Sequence, residues 1–231
     1  MNADKKPDLI FTGAFRDKYA EHNTAMIYFS DGNTYKLAPI VRNARTSFRP
    51  HVFTQKSKDQ LLIIVHNYHA SEFEKVETLL INQELSRETC AGDDTLVFRH
   101  NALLDYSTHP SKTEFDSLVL FKKYGWSCVV DSFVVYNSGG GIFDSRCRKQ
   151  YPNAVSFQES SGNIEYLRYL IRTIDLIKTQ RKSAYGGTDN NSATLFIYHG
   201  NKVERFSDYG LESSFTLKAI YKYFDGIKER L

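Results

Sequence analysis

Three consecutive glycines, Gly139 to Gly141, follow an apolar stretch and precede basic residues in the segment FVVYNSGGGIFDSRCRKQYP, residues 133–152. Successive backbone N–H groups in such a turn can hold an anion, and a nearby guanidinium can supply the opposite charge. The segment lacks the Lys-Ser/Thr that follows the glycines of a Walker loop and the third glycine of a dinucleotide fingerprint. We therefore predict a strand leading into a permissive turn, able to hold a phosphate without consuming it. The residues of this predicted anion site are Ser138, Gly139, Gly140, Gly141, Arg146 and Arg148.

Two His-x-Ser units begin at His69 and His109. A two-histidine phosphodiesterase uses one histidine as the general base and the other as the general acid. That chemistry needs both units on facing strands, whereas His109 lies in a Ser/Thr/Pro-rich segment and Ser71 also fits a helix cap. A phosphodiesterase that acts on nucleotides is therefore an alternative function.

A spaced run of basic residues occurs in VRNARTSFR, residues 41–49, with one aromatic side chain among them. Arg42, Arg45 and Arg49 could contact phosphates, which gives nucleic-acid binding as a second alternative. The same run also fits a solvated loop. Asp131 is the one carboxylate placed inside an apolar strand, where it is either a buried structural acid or points outward.

The composition excludes several classes of protein. The chain has 231 residues and a net charge of +3, which is far from the concentrated charge of a dedicated nucleic-acid binder. The start has no apolar leader and the longest apolar run is LLIIV, so we expect neither a signal peptide nor a membrane span. The three cysteines, Cys90, Cys128 and Cys147, lack metal-ligand spacing, and their odd number favours a reducing, intracellular site of synthesis. No required cofactor or metal is predicted.

Aromatic residues are unusually abundant, with 15 tyrosines and 16 phenylalanines. Tyrosine combines an apolar ring with a polar hydroxyl, which suits interfaces, and its hydroxyl ionises near pH ~10. Phenols buried between molecules would therefore give contacts that hold at neutral pH and repel in alkali.

Alternation and turn residues predict strands that come in hairpins. The predicted hairpins turn at Asp31-Gly32, Gly125-Trp126 and Gly200-Asn201. Their strands and the single strands are expected over residues 25–37, 59–68, 95–104, 115–124, 128–136 and 193–206, and Gly92-Asp93-Asp94 is expected to be a turn.

Helical periodicity predicts about three helices, over residues 71–85, 163–182 and 213–230, with Asn163 as the cap of the second. A brief helical segment is also expected at residues 14–22. The predicted fold is a single domain over residues 1–231 of the α+β class, with an antiparallel β-sandwich-like core of hairpins decorated by helices.

Several stretches, taken in order, resemble the polyhedrins of cypoviruses. They are IYFSDGNTYKL, LLIIVHNYHASEFEKVE, TEFDSLVLFKKYG and the helix NIEYLRYLIRTIDL, and their order and rough spacing suit the family over about half of the chain. The triple-glycine segment has no counterpart that we can match in that family.

The resemblance implies a viral occlusion-body matrix protein without catalytic activity. Such a protein assembles with itself into crystals in the host-cell cytoplasm, encloses virus particles and dissolves in alkali. The resemblance also implies that the crystals can hold nucleotides, although no motif transfers binding residues to this chain.

Overall fold

The computed structural model describes residues 9–16, 21–31, 34–39, 48–57, 60–69, 90–100, 102–106, 114–146, 154–174, 191–211 and 214–231. The chain divides into two compact units, residues 1–106 and 107–231. The organisation as a single domain stays a prediction, and each unit is described by itself.

The first unit contains two antiparallel sheets. One has the order β1-β2-β3, formed by Leu9–Arg16, Glu21–Asp31 and Thr34–Pro39. The other has the order β4-β5-β6-β7, formed by Phe48–Ser57, Gln60–His69, Cys90–Arg99 and Ala102–Asp105. Strand β4 contacts β1 and β2, so the two sheets adjoin. The fully buried side chains described here include Ala25, Ile27, Ile63, Val65, Leu96 and Leu104.

The hairpin predicted around Asp31-Gly32 is confirmed by the pairing of β2 with β3, in which Asp31 lies opposite Thr34. The helical segment predicted at residues 14–22 is wrong at both of its described ends. Ala14 pairs with Asn23 and Arg16 with Glu21 in an antiparallel hairpin, because strand pairing outweighs the weak local helical preference.

The single strand predicted at residues 95–104 is two strands, β6 and β7, with His100 between them at φ 49°. The turn predicted at Gly92-Asp93-Asp94 is also wrong, because these residues extend β6. Asp93 and Asp94 pair with His66 and Val65 of β5, and an irregularity between His66 and Tyr68 shifts the register. The helix predicted at residues 71–85 lies outside the described residues.

The second unit is built on one six-stranded antiparallel sheet with the order β11-β10-β9-β8-β12-β13. The strands are β8 (Ser117–Lys123), β9 (Val130–Tyr136), β10 (Gly140–Arg146), β11 (Val155–Gln158), β12 (Ser192–His199) and β13 (Lys202–Tyr209). The hairpins predicted around Gly125-Trp126 and Gly200-Asn201 are confirmed by the pairings β8 with β9 and β12 with β13.

Two helices belong to the described part of this unit, α1 (Ser161–Thr173) and α2 (Phe215–Arg230). The helix predicted over residues 163–182 is wrong at its end, because Ile174 takes an extended conformation at ψ 120° and stops it after Thr173. Ser160, rather than the predicted Asn163, caps α1, because its side chain accepts a hydrogen bond from the Asn163 N–H at 3.2 Å. Ser214 caps α2 by accepting from the Leu217 N–H at 3.0 Å. Each cap pairs a backbone N–H that has no partner within the helix, as a helix start requires.

Helix α2 covers one face of the sheet, which we call the inner face. Phe224 of α2 packs against Phe133 of β9, with ring centroids 5.2 Å apart. The register places Leu118, Leu120 and Val135 on the same face as Phe133, and all are buried. Helix α1 lies beside α2, where Tyr166 approaches Tyr223. The predicted class, a β-rich antiparallel α+β fold built from hairpins, is confirmed, with a helical layer on this sheet.

Candidate functional site

The predicted anion site begins in the turn between β9 and β10. Gly139 adopts φ +95°, which favours glycine, and its N–H donates to the Tyr136 carbonyl at 2.9 Å. Its carbonyl accepts from the Glu159 N–H at 2.8 Å, while Gln158 Nε2 donates to the Ser138 carbonyl at 3.3 Å. The Gly139 amide is therefore already paired within the turn.

Close packing explains two of the three glycines. A Cβ on Gly141 would lie 2.2 Å from the Phe157 ring and 2.7 Å from the Val134 carbonyl oxygen. A Cβ on Gly139 would lie 2.8 Å from the Glu159 carbonyl oxygen. Gly140 has room, since its nearest neighbour would be Gln158 Oε1 at 3.7 Å. Strand β11 thus approaches the turn too closely for side chains at two positions.

The basic residues assigned to the anion site are not brought to the turn. Arg146 ends β10, six residues after Gly140, which is about 20 Å away at roughly 3.3 Å per residue. Its guanidinium pairs with Asp144. Arg148 lies outside the described residues, and binding of an anion or nucleotide stays a prediction.

A different arginine reaches the turn. Arg168 of α1 donates from Nε and Nη2 to Asn137 Oδ1, at 2.9 and 2.6 Å, and also pairs with Glu165. These bonds join the β9–β10 turn to the helix layer. Because 31 residues separate the partners, no local pattern could have indicated this contact.

The other predicted sites are described only in part. His69 ends β5 and Arg49 lies in β4 opposite Tyr68, but His109, Arg42 and Arg45 lie outside the described residues. The phosphodiesterase alternative and the basic-run alternative therefore stay predictions.

The most connected polar group in the described part of the second unit surrounds Asp131, the carboxylate that the sequence marks as unusual. Asp131 is fully buried on the inner face. Its Oδ2 accepts from the Tyr124 hydroxyl at 2.6 Å and from Lys228 Nζ at 2.7 Å, and its Oδ1 accepts from Ser145 Oγ at 2.7 Å. We call Tyr124, Asp131, Ser145 and Lys228 the Asp131 cluster.

A second ion pair adjoins this cluster. Lys122 is buried opposite Asp131 in the β8–β9 pairing, and its Nζ donates to Asp225 Oδ1 and Oδ2 at 2.6 and 2.7 Å. The ammonium groups of Lys122 and Lys228 lie 5.5 and 5.2 Å from the centre of the Tyr124 ring. The phenol ring therefore stands near two cations, an arrangement that aromatic rings favour.

The pKa values of this cluster follow from its contacts. Burial alone would raise the pKa of Asp131, but hydrogen bonds from Lys228, Ser145 and Tyr124 outweigh it, so the pKa is lowered. Burial and the neighbouring Asp131 carboxylate raise the pKa of Tyr124. The carboxyl group is thus ionised and the phenol protonated at neutral pH.

Two more tyrosines of α2 stand beside carboxylates. Burial, followed by Asp208, raises the pKa of Tyr221 well above its ordinary value. Burial, followed by Glu159, raises the pKa of Tyr223. The buried Glu159 also accepts from Arg230 Nη2 at 2.5 Å and from the Asn163 side chain. The Arg230–Glu159 ion pair fastens the end of α2 to the start of α1, and the Tyr221 and Tyr223 hydroxyls are buried without a well-formed hydrogen bond.

Two further features are absent from the described residues. No group of three or more His, Cys, Asp or Glu side chains there could hold a metal ion. No helix in the described ranges is long and apolar enough to cross a membrane. Cys128 is disulfide-bonded, and the reducing site of synthesis expected from the cysteine count stays a prediction.

Comparison with known proteins adds no neighbour. No family model matches the chain, and no curated protein or solved structure matches it. The resemblance to polyhedrins stays a prediction.

The two glycines that follow Gly139 give a matched test of the packing explanation. Gly141→Ala should lower the free energy of unfolding by about 1–3 kcal/mol, because Phe157 and the Val134 backbone must move. Gly140→Ala should be neutral or slightly stabilising, since the added methyl has room. Urea denaturation of both variants measures the difference, and equal losses would contradict the explanation.

Removing the cation of the Asp131 cluster should destabilise the protein. Lys228→Met should cost about 1–3 kcal/mol at pH 7, a range reduced because Lys228 is partly exposed. The ionised Asp131 contributes stability above pH ~4 that is lost in acid, so the difference between the two proteins should shrink below that pH. Urea denaturation between pH 3 and pH 7, chosen as roughly the range that spans the carboxyl pKa, checks this.

Lys222→Met is the control for that experiment, because Lys222 is exposed on the same helix. An equal loss in both variants would show that helix charge, rather than the contact with Asp131, decides the result.

Proposed function

We propose that the chain is a structural protein without catalytic activity that assembles with itself and comes apart in alkali. The protein would be an occlusion-body matrix protein, as the sequence resemblance implies, enclosing virus particles in the host-cell cytoplasm. The observation that carries the proposal is the set of phenols built into the contact between α2 and its surroundings. Tyr124, Tyr221 and Tyr223 each stand beside a carboxylate there.

The position of these phenols makes the fold sensitive to alkali. An ionised Tyr124 would carry a negative charge next to the Asp131 carboxylate, because its hydroxyl oxygen lies 2.6 Å from Asp131 Oδ2. Asp225, on the neighbouring helix, adds to this repulsion, while the cations of Lys122 and Lys228 oppose it. Ionisation of Tyr221 and Tyr223 would meet Asp208 and Glu159 in the same way.

The direction of the pH dependence follows from linkage. The folded pKa values of these tyrosines are raised above the ordinary value of 10.0. Their contribution to stability is therefore complete below pH ~10 and is lost as the pH rises above it. Each such phenol makes the free energy of unfolding fall by up to about 1.4 kcal/mol per pH unit in that range. Loss of folding stability in alkali would favour dissolution of a matrix that persists at neutral pH.

An exposed aromatic side chain supports the assembly part of the proposal. Trp126, in the turn after β8, is 83% exposed. Aromatic side chains are enriched at protein interfaces, where their rings are buried and a polar atom stays paired.

Tyr124→Phe should weaken the fall of the free energy of unfolding at alkaline pH. At pH ~8 the variant should be less stable by about 1 kcal/mol, because a hydrogen bond to Asp131 is lost. Between pH ~8 and ~11 its free energy of unfolding should fall less than that of the unchanged protein, because one ionising phenol is gone. Tyr136→Phe, at an exposed position, should keep the original fall. An equally steep fall for Tyr124→Phe would count against the phenol explanation.

Assembly is tested by expression of the full chain in insect cells. We expect intracellular crystals of micrometre size that dissolve above pH ~10. A protein that stays soluble at high concentration, or crystals that survive strong alkali, would overturn the proposal.

A further inference from the structure

The face of the six-stranded sheet opposite α2, here called the outer face, carries exposed apolar side chains. Side chains alternate between the two faces of a strand. The outer face therefore carries every second residue of β8 from Ser117 to Lys123 and every second residue of β12 from Ser192 to Tyr198. Its most exposed large apolar side chains are Phe121, Tyr136, Ile142, Tyr198 and Val203, each 39% to 53% exposed.

The rings of the outer face adjoin one another. Phe121 meets Phe196 edge to face with centroids 6.1 Å apart, and Phe196 stacks on Tyr198 at 6.4 Å. Tyr198 and Tyr136 both lie opposite Ser117 of β8, one from each neighbouring strand. The rings of Phe121, Phe196 and Tyr198 therefore form an array across β8 and β12, and Tyr136 of β9 lies on the other side of Ser117.

The exposed charges among this array are positive. In the strands that the structure describes, the exposed charged side chains of the outer face are Lys123, Arg146 and Arg205. The Arg205 guanidinium lies 5.7 Å from the centre of the Phe196 ring. The carboxylate on this face, Asp144, is buried and paired with Arg146. A partner of the outer face should therefore be anionic and carry flat apolar groups.

Single-stranded nucleic acid has both properties. Its bases stack on aromatic side chains whatever their identity, and its phosphates pair with lysine and arginine. We propose that the outer face binds single-stranded RNA or DNA, with bases stacked on the exposed rings of Phe121 and Tyr198 and phosphates beside Lys123 and Arg205.

Two features favour this ligand over a second copy of the chain. Two outer faces placed together would bring Lys123 and Arg205 of each copy against like charges, which opposes association. The exposed rings of Phe121 and Tyr198 also lie on adjacent strands with Phe196 between them, so two bases can each find a ring. The surface differs from the basic run at residues 41–49, and the inference goes beyond self-assembly and does not depend on it.

The test measures binding of the full chain to labelled 12-nucleotide oligo(U) and oligo(dT) by fluorescence anisotropy, with a duplex of equal length for comparison. Both single strands should bind, at least about tenfold more tightly than the duplex, because duplex bases are not free to stack. With two to three phosphate contacts, the slope of log affinity against log salt should be about −1.4 to −2.1.

Matched variants assign the binding to the outer face. Tyr198→Ala should weaken binding by about tenfold or more, while Tyr198→Phe, which keeps the ring, should bind like the unchanged chain. Arg205→Gln should reduce the size of the salt slope by about 0.7. Trp126→Ala removes an exposed ring that lies in the β8–β9 turn and should leave the affinity unchanged. Circular dichroism confirms that each variant is folded.

Several results would overturn the inference. They are no binding of single strands by the unchanged chain at low salt, equal affinity for the duplex, or unchanged affinity of folded Tyr198→Ala. A self-association of the unchanged chain that Tyr198→Ala abolishes would instead assign the face to a second copy. Failure to form crystals in insect cells would leave the binding result intact, so the two proposals fail separately.

Discussion

The buried carboxylate of Asp131 is the constraint on which the second unit depends. A charge removed from water must be compensated nearby, and here three donors come from three different elements or connections. Tyr124 follows β8, Ser145 lies on β10 and Lys228 lies near the end of α2. Satisfying one charge therefore sets the position of the C-terminal helix against the sheet. Phe224, about one turn before Lys228 in the same helix, packs on Phe133 of β9. The ion pair and the apolar packing therefore favour the same position of the helix.

Alternation along β8 links this inner contact to the outer face. Lys122 points inward to Asp225, and its neighbours Phe121 and Lys123 point outward. A slip of one residue would exchange the two sets and place a phenyl ring where an ion pair is needed. The inner ion pairs therefore help to hold the register that presents aromatic and basic side chains on the other side. The Asp131 cluster stabilises the fold, and the surface available to a partner follows from it.

The glycine run shows how the same residues can have two explanations until their neighbours are known. Three glycines beside basic residues suit an anion, but Gly141 faces Phe157 and the Val134 backbone at distances that exclude a side chain. The charge that completes the turn comes from Arg168 of α1, while Arg146 pairs with Asp144 at the far end of β10. Glycine is required because β11 packs closely against the turn. A local sequence motif contains no information about that packing.

The sequence by itself determined what neighbours along the chain can decide. Turn residues such as Gly125 and Gly200 placed the hairpins, and alternation placed most strands. Apolar periodicity placed α2 and the start of α1 to within a few residues, but not the end of α1 at Thr173. The sequence also identified Asp131 as unusual, but it did not indicate which residues pair with it. Tertiary structure decided that Lys228 pairs with Asp131 over 97 residues and Lys122 with Asp225 over 103. It also placed β12 beside β8, which assembles the rings of the outer face. These contacts depend on the order of strands in the sheet, and short-range propensities carry no information about that order because they arise from residues only a few positions apart.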